Sequence, residues 1–338
     1  MRILLIKTSS MGDIIHTLPA LTDAMLMVPG VTFDWVVEES FIDIPKWHPS
    51  VDRVIPVALR RWRGNIFSRD TRKEWRQLRN SLHKQSYDFI LDAQGLVKSA
   101  WLALLATGKR VGLDWHSARE PLASLFYQQK YSVNFYQHAV VRMRQLFSCA
   151  LHYSLPANQP DFGMNVKQFS RDYAVPNYIV FLHGTTWATK EWPEIYWIEL
   201  TKKINQIGYR VKISGGTTDE VARAHRIAKQ GNAIDVLPRL TISEMAELIA
   251  NAKAVIAVDT GLGHLAAALG VPTVSLYGST HPDYTGALGK HSIHLRAQFP
   301  CAPCLNRTCY YKQSSIVVPA CYTTIMPEMV FAAVIDSI

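Results

Sequence analysis

The chain has 338 residues, which is long enough for two domains. Hydrophobic residues make up 48% and charged residues 19% of it, a composition that excludes a disordered protein and is typical of a globular one. No apolar run approaches the roughly 20 residues that a membrane-spanning helix needs, and the apolar start at 2–7 is too short for a signal peptide. We therefore expect a cytoplasmic protein.

The net charge of +9 at pH 7 predicts an acidic partner or an acidic surface. The basic excess is concentrated between residues 60 and 79. This segment holds Arg60, Arg61, Arg63, Arg69, Arg72, Lys73, Arg76 and Arg79 against Asp70 and Glu74. A solvated helix face explains part of the excess, and nucleic acid, an anionic membrane or a phosphorylated substrate would explain the remainder.

The first half alternates strand-like and helix-like patterns. Strands are predicted at 2–7, 33–38, 54–57 and 89–92. Helices are predicted at 14–28, around 41–47, and at 71–84, 96–106 and 138–151. This alternation predicts a parallel sheet with helices on both faces. The stretch 154–176 interrupts it with proline, glycine and asparagine, so part of it is interpreted as a linker, although 162–166 could form an edge strand.

The second half resumes the same alternation. Strands are predicted at 178–182, 210–213, 233–236, 255–258 and 273–277, and helices at 193–207, 218–230, 242–250, 262–269 and 327–338. We therefore predict an α/β chain with two similar parallel-sheet domains facing a cleft. The predicted limits are 1–160 for the first domain, 161–176 for the linker region, 177–325 for the second domain and 326–338 for a C-terminal helix that could pack back toward the first domain.

One carboxylate follows the first predicted strand directly. Asp13 lies in the first turn of the next helix, at the strand's carboxyl end, where open α/β sheets bind their ligands. Such a carboxylate can complement the helix dipole, or it can act as a base. Its position in the sequence does not decide between these two roles.

Three turns in the second half each follow a predicted strand, and each contains residues that can bind a phosphate group. The first is 258–268 (VDTGLGHLAAA), in which glycines and a threonine hydroxyl open a helix whose N–H groups can bind an anion. An ordinary cap followed by a core histidine is the alternative. The others are 183–190 (HGTTWATK), with two hydroxyls and a lysine, and 214–220 (SGGTTDE). Together they predict a nucleotide-sized anionic ligand at one edge of the second domain.

Four of the five cysteines lie close together near the C-terminus. Cys149 is separate, whereas Cys301, Cys304, Cys309 and Cys321 have the spacing C-x2-C-x4-C-x11-C, which resembles zinc-site spacing only loosely. An intracellular location argues against disulfides. We expect free, buried or half-buried thiols, with a structural zinc as the alternative.

Several blocks of the sequence resemble a known family. They are 6–13 (IKTSSMGD) with 16–20 (HTLPA), 33–39 (FDWVVEE), 60–63 (RRWR), 92–99 (DAQGLVKS), 118–127 (AREPLASLFY) and 259–264 (DTGLGH). In these blocks the chain resembles the bacterial lipopolysaccharide heptosyltransferases of glycosyltransferase family 9. The early blocks are similar to type I members, and the last block marks the wider family. The resemblance implies a GT-B fold, with two Rossmann-like domains and a cleft between them.

The resemblance also implies an inverting reaction without an obligatory metal or another cofactor. The donor would be ADP-L-glycero-β-D-manno-heptose, the acceptor the first Kdo of Kdo2-lipid A, and the base Asp13. Donor-binding positions are Thr185, Thr186, Lys190, Glu220, Leu240 (a methionine in the family), Asp259, Thr260, Gly261 and His264. Acceptor-binding positions are Ser10, Gly12, Arg60, Arg61, Arg63, Arg119 and His138.

A protein with this function is expected to be a monomer at the cytoplasmic face of the inner membrane, bound peripherally and without nucleic acid. Three alternatives stay open at this point. One is a type II or type III heptosyltransferase acting on an already heptosylated acceptor. The others are a basic nucleic-acid-binding protein, which lacks the expected interleaving of aromatic and basic residues, and a non-catalytic protein that binds anionic membranes.

Overall fold

The structure is a computed structural model that describes residues 1–65, 67–169 and 177–338. The chain divides into two compact units, Met1–Asn165 and Val166–Ile338. The boundary falls within the predicted linker region 161–176, of which residues 170–176 lie outside the described residues. The predicted α/β class is confirmed, because both units consist of a parallel sheet with helices packed on it.

The first unit has a parallel sheet of six strands in its described part, in the order β3-β2-β1-β4-β5-β6. The strands are β1 (Arg2–Ile6), β2 (Thr32–Glu38), β3 (Val51–Val57), β4 (Ser86–Asp92), β5 (Thr107–Leu113) and β6 (Gln129–Tyr131). The central strands β1 and β2 are buried almost throughout, as expected for a sheet covered on both faces. The sequence patterns missed β5 and β6, because β5 begins with glycine and charged residues and β6 has only three residues.

Helices connect these strands. They are α1 (Met11–Ile15), α2 (Leu18–Met27), α3 (Asp43–Lys46), α4 (Leu59–Gly64), α5 (Arg69–His83), α6 (Val97–Ala103) and α7 (Ala139–Leu151). In α5, Thr71, Leu78 and Leu82 face the core at helical spacing, and Ser68 caps the helix by accepting the N–H of Thr71 at 3.1 Å.

Two predictions for the first unit were wrong. The single helix predicted at 14–28 is two helices, because Pro19 in the first turn of α2 has no N–H to continue the hydrogen bonds of α1. The edge strand that 162–166 was expected to be able to form is not present, because Gly163 has a φ of +64°, which lies outside the extended region.

A buried ion pair holds the segment after α7 to the first unit. The Arg144 guanidinium binds the Asp23 carboxylate through two bonds of 2.6 and 3.1 Å. The same guanidinium donates to the carbonyls of Pro156 and Asn158, both at 3.1 Å. Because both charged side chains are buried, removing one partner would leave the other charge uncompensated.

We expect Arg144→Met to lower the free energy of unfolding by about 3–5 kcal/mol, since Asp23 would stay buried without its partner. Urea unfolding measures this loss. As a control, Arg210→Met breaks an exposed ion pair with Asp235 and is expected to change the free energy of unfolding far less, because water screens exposed charges. Adding Asp23→Leu to Arg144→Met is expected to recover part of the lost stability. Equal effects of the two arginine substitutions would contradict the prediction.

The second unit repeats the topology of the first. Its described strands are β7 (Tyr178–Leu182), β8 (Arg210–Ile213), β9 (Ile234–Val236), β10 (Ala254–Val258), β11 (Thr273–Tyr277) and β12 (Ser292–Arg296), in the order β12-β11-β10-β7-β8-β9. Its helices are α8 (Glu194–Gln206), α9 (Thr218–Gln230), α10 (Ile242–Ala250), α11 (Gly261–Ala268), α12 (Pro282–Thr285) and α13 (Pro327–Ile335). The half-buried edge strand β12 was not predicted.

The C-terminal part of the chain belongs to the second unit. Helix α13 packs against α8 and β11, with Val330 and Val334 buried in the core. No helix in the described ranges is both long enough and apolar enough to cross a membrane.

Both sheets reverse their strand order at one point, between β1 and β4 in the first unit and between β7 and β10 in the second. In open α/β sheets, ligands bind beyond the carboxyl ends of the strands at such a reversal. The loops that follow these four strands are therefore the expected ligand-binding loops.

Candidate active-site residues in the two units

Asp13 follows β1 at the reversal point of the first sheet. Ser10 precedes α1, and both its N–H and its hydroxyl donate to Oδ2 of Asp13 at 2.9 Å. The buried Gly12 is the residue before Asp13 in the same helix. Ser10 therefore orients a half-buried carboxylate at the sheet edge, and both of its hydrogen bonds end on one oxygen.

The loop after β4 supports the loop after β1. The side-chain carbonyl of Gln94 accepts the N–H groups of Thr8 at 3.0 Å and of Ser9 at 3.2 Å. Asp92, at the end of β4, accepts hydrogen bonds from the hydroxyls of Ser99 at 2.8 Å and Tyr127 at 2.7 Å. Residues of the block 92–99 thus support the backbone of the loop that leads to Asp13.

Cations surround the Asp13 carboxylate. Lys7 is buried at the end of β1, and its ammonium donates to the carbonyl of Ala93 at 2.9 Å. Burial acts to raise the pKa of Asp13, but the Lys7 ammonium, the Ser10 hydrogen bonds and Arg119 outweigh it, so the pKa lies below its usual value. Burial also lowers the pKa of Lys7 and of Arg142, and the negative charge of Asp13 opposes both shifts. Asp13 is therefore ionised at neutral pH.

We expect Lys7→Met to raise the pKa of Asp13, because the largest charge that favours the carboxylate is removed. Carboxyl-carbon NMR titration measures this pKa directly. In the unsubstituted protein the midpoint should lie below the usual value of an aspartate. Lys98→Met removes an exposed lysine of the same unit and should not change it. An unchanged midpoint in Lys7→Met would contradict the electrostatic assignment.

The structure divides the predicted acceptor residues into two groups. Arg119 acts electrostatically on Asp13, and the His138 ring lies 5.4 Å from the ring of His16, which directly follows α1. The second group, Arg60, Arg61 and Arg63, lies on the separate helix α4 beyond β3. Sequence reasoning placed both groups at one acceptor site, and the contacts of the described residues do not join them.

Arg61 is already engaged by carboxylates. Its guanidinium pairs with Glu39 at 2.9 Å and with Glu74 at 3.1 Å, and Glu74 also accepts the indole N–H of Trp62. Arg60 lies over the ring of Phe41 at 5.7 Å. These pairs offset part of the basic excess, so an acidic ligand at Arg61 would have to compete with two carboxylates.

In the second unit, Asp259 at the end of β10 is the centre of a polar group. Its Oδ2 pairs with the Lys190 ammonium at 2.7 Å and accepts the Thr280 hydroxyl at 2.7 Å. Its Oδ1 lies 3.8 Å from Nε2 of His264, and its backbone carbonyl accepts the Thr185 hydroxyl at 3.2 Å. Four predicted donor residues (Thr185, Lys190, Asp259 and His264) are thereby brought together at the reversal point of the second sheet.

The N-terminus of α11 opens beside Asp259. Thr260 precedes the helix without capping it through its side chain. Its hydroxyl and the N–H groups beginning at Gly261 can therefore donate hydrogen bonds to an anion. Thr186 is exposed in the neighbouring loop after β7. The ammonium of Lys190 also lies 4.5 Å from the centre of the Trp187 ring, which limits where that cation can move.

The third predicted turn follows β8, next to β7. Glu220 closes this turn by accepting the N–H groups of Gly216 at 2.7 Å and Thr217 at 3.1 Å. A Cβ added to Gly184 would lie 2.5 Å from the Glu220 carboxylate, so a larger residue there would displace the side chain that closes the turn. The three turns thus follow adjacent strands, as the sequence predicted. Leu240 is half-buried in the loop between β9 and α10.

Sequence reasoning assigned no role to Lys7, Arg142 or Thr280. Lys7 was visible as a lysine directly after an apolar strand, and Thr280 as a hydroxyl shortly after β11. Nothing in the sequence around Arg142 distinguishes it from other helical arginines.

A cavity of about 440 Å³ opens at the ends of β11 and β12, and Thr280, His281 and Arg296 line it.

In the described part of the chain, no group of three or more histidine, cysteine, aspartate or glutamate side chains is arranged to hold a metal ion. The cysteines near the C-terminus are free thiols in the structure. Burial raises the pKa of Cys321 to about 12, so this thiol is protonated at neutral pH.

A model of glycosyltransferase family 9 (heptosyltransferase) matches residues 75–315. Lipopolysaccharide heptosyltransferase 1 of Pseudomonas aeruginosa is 51% identical, over 98% of this chain and 96% of the relative. Lipopolysaccharide heptosyltransferase 2 of Escherichia coli K12 is 26% identical, over 88% of each chain. The similarity is therefore much greater to the type 1 relative.

Two similar solved structures are of the Escherichia coli heptosyltransferase WaaC, one with ADP and one with ADP-2-deoxy-2-fluoro heptose. Their TM-scores are 0.84 and 0.81, each at 48% identity, over 88% of this chain and 93% of that chain. This agreement accords with the GT-B class predicted for the fold.

Proposed function

Because the chain belongs to glycosyltransferase family 9, the heptosyltransferases, we propose that it transfers L-glycero-D-manno-heptose from ADP-heptose to the first Kdo of Kdo2-lipid A. Transfer is proposed to occur with inversion, as a step in building the inner core of lipopolysaccharide. The observation that carries this proposal is the ionised Asp13 carboxylate, which Ser10 holds by hydrogen bonds at the reversal point of the first sheet and which the charge of Lys7 stabilises.

In this proposal Asp13 is the general base. Its carboxylate accepts the proton of a Kdo hydroxyl while the hydroxyl oxygen bonds to the anomeric carbon of the heptose. The bond between that carbon and the diphosphate oxygen breaks, and ADP leaves with the electron pair. One carboxylate is enough for an inverting transfer, since no covalent intermediate with the enzyme has to form.

The second unit is proposed to bind ADP-heptose and to stabilise the departing diphosphate. Lys190 supplies a positive charge, and the hydroxyls of Thr185 and Thr260 and the N–H groups of α11 supply hydrogen bonds. The carboxylate of Asp259 holds the Lys190 ammonium in place. With this set of donors, we propose that neither a metal ion nor another cofactor is required. Thr186, Gly261, His264, Glu220 and Leu240 complete the proposed donor site.

The acidic acceptor is proposed to bind the first unit. Arg119 and His138, together with the Ser10–Gly12 turn, would hold the Kdo carboxylates near Asp13, and arginine suits carboxylates because its guanidinium can bind both oxygens. Arg60, Arg61 and Arg63 would take acidic groups farther along the acceptor. We also propose that the enzyme is a monomer, since one chain contains both sets of residues, and that it works at the cytoplasmic face of the inner membrane.

The experiment that tests this function compares two acceptors with ADP-heptose as donor. Kdo2-lipid A should be heptosylated, and an acceptor that already carries the first heptose should not react. Turnover of the heptosylated acceptor alone would assign the chain to the type II or type III reaction instead. Absence of transfer to either acceptor, with ADP still bound, would contradict the proposed activity.

A further inference from the structure

Helix α5 carries a row of exposed arginines for which neither the fold nor the proposed reaction has a use. Arg69, Arg72, Arg76 and Arg79 are spaced by three, four and three residues, so they lie along one face of the helix, which we call the arginine stripe. Within the described ranges, none of the four forms an ion pair with a carboxylate. Glu74, an acidic residue of the same helix, is already bound by Arg61 and Trp62.

An exposed apolar surface lies next to the arginine stripe. Trp101 and Leu104 of the neighbouring segment are 45% and 44% exposed, and their closeness in the chain makes them part of one apolar patch. A shallow depression of about 400 Å³ is lined by Trp75, Arg76, Arg79, Trp101 and Leu105, so the arginines and the apolar side chains share one surface. We call Trp101, Leu104 and Leu105 the apolar edge.

This surface is rigid because its rings are tied to the core. Trp101 packs edge-on against Trp75 at 4.9 Å between ring centres, and Trp75 packs on the buried Trp62 at 4.6 Å. The Trp75 and Leu105 side chains also pack on the core cluster of the first unit. Exposure of Trp101 therefore does not result from a loose loop, and the tryptophan is held in place at the surface.

A charged row beside exposed tryptophan and leucine matches the chemistry of a lipid headgroup layer. Arginine attracts anionic headgroups, and its long side chain lets the charge remain at the interface while its methylenes cover apolar surface. Tryptophan prefers the boundary between headgroups and acyl chains. A helix face that is merely solvated explains the arginines, but it does not explain the apolar edge beside them.

We propose that the arginine stripe and the apolar edge form a docking surface for a bilayer that contains anionic lipids. This inference rests on the proposed function, whose acceptor is a membrane lipid, and it adds the surface through which the first unit binds that membrane. The apolar edge inserts at the level of the headgroups, and the arginine stripe binds lipid phosphates beside it.

The test uses the full chain and vesicles in a flotation assay. Vesicles of phosphatidylcholine are compared with vesicles in which about one third of the lipid is phosphatidylglycerol, at low and high salt. The protein should bind only the anionic vesicles and should be released by salt. The triple variant Arg72→Gln, Arg76→Gln, Arg79→Gln should bind about 100-fold more weakly, since each charge near an anionic surface contributes about fivefold.

A matched control removes three positive charges from the second unit. The triple variant Lys202→Gln, Lys229→Gln, Lys290→Gln replaces three exposed lysines and changes the net charge equally. It should bind the vesicles within about twofold of the unsubstituted protein, because the interaction is local. Trp101→Ala should weaken binding by about tenfold through lost apolar burial, whereas Leu26→Ala, at an exposed leucine elsewhere in the first unit, should not.

Transfer activity in detergent micelles separates this inference from the proposed function. The triple arginine variant and Trp101→Ala should retain full transfer in micelles, since the substituted residues do not bind donor or acceptor in the proposed site. If no protein transfers heptose but vesicle binding follows the predicted pattern, the proposed function fails and the docking surface stands. Equal vesicle binding by both triple variants would overturn the docking surface. Unchanged vesicle binding with a selective loss of duplex DNA binding would assign the arginine stripe to nucleic acid instead.

Discussion

Replacing Asp13 by asparagine is expected to lower the kcat of heptose transfer by about 1,000-fold, because a positioned general base contributes roughly 100- to 10,000-fold. Asparagine keeps the size of the side chain and can remain next to Ser10, but it cannot accept the proton of the acceptor hydroxyl. The affinity for ADP should not change, since the proposed donor residues belong to the other unit. Single-turnover transfer and ADP titration measure the two effects separately.

The matched control for this substitution is Asp43→Asn. Asp43 also lies in the first turn of a short helix of the first unit, so it tests whether a helix-dipole contribution alone explains the effect. Asp43→Asn should leave kcat within about twofold, because a dipole contribution of this kind affects stability by only about 0.3–1 kcal/mol. Equal losses in the two variants, or unchanged transfer in Asp13→Asn, would remove Asp13 as the base.

Replacing Lys190 by methionine is expected to lower kcat by about 100- to 1,000-fold and to weaken ADP binding, because the ammonium that pairs with Asp259 at the proposed donor site is lost. The substitution also leaves the Asp259 carboxylate close to the proposed diphosphate site without its partner. Lys190→Arg should recover only part of the activity, because the larger, planar guanidinium cannot replace a compact ammonium between Asp259 and Trp187.

Lys202→Met is the control for Lys190→Met, since Lys202 is an exposed lysine on α8 of the same unit. It should change neither kcat nor ADP affinity. A donor whose leaving group is a weaker base should react with a smaller loss in Lys190→Met, because less negative charge then needs to be stabilised. A uniform loss for both donors would indicate that Lys190 contributes to binding and not to departure of the leaving group.

Much of this architecture could be predicted from local sequence patterns. Buried parallel strands are continuous apolar runs, and amphipathic helices repeat at a helical period, so both are encoded within a few neighbouring residues. The patterns failed where these local signals are weak, at the polar strand β5 and the three-residue strand β6, and where one proline divides a continuous helical pattern at Pro19.

The sequence by itself determined the α/β class, the polar turns after β7, β8 and β10, and the place of Asp13 after the first strand. These features depend on chain order, because parallel strands bring their carboxyl ends to one edge whatever the rest of the fold does. The family resemblance added a role for Asp13 and for the donor residues.

Only the tertiary structure decided the electrostatic setting of these groups. Lys7, Arg119 and Arg142 are distant in sequence, and folding places all three where their charges act on Asp13 or on one another. Folding also pairs Arg61 with Glu39 and Glu74 and places Trp101 beside the arginine stripe. Such arrangements depend on packing between residues far apart in the chain, and local periodicity carries no information about them.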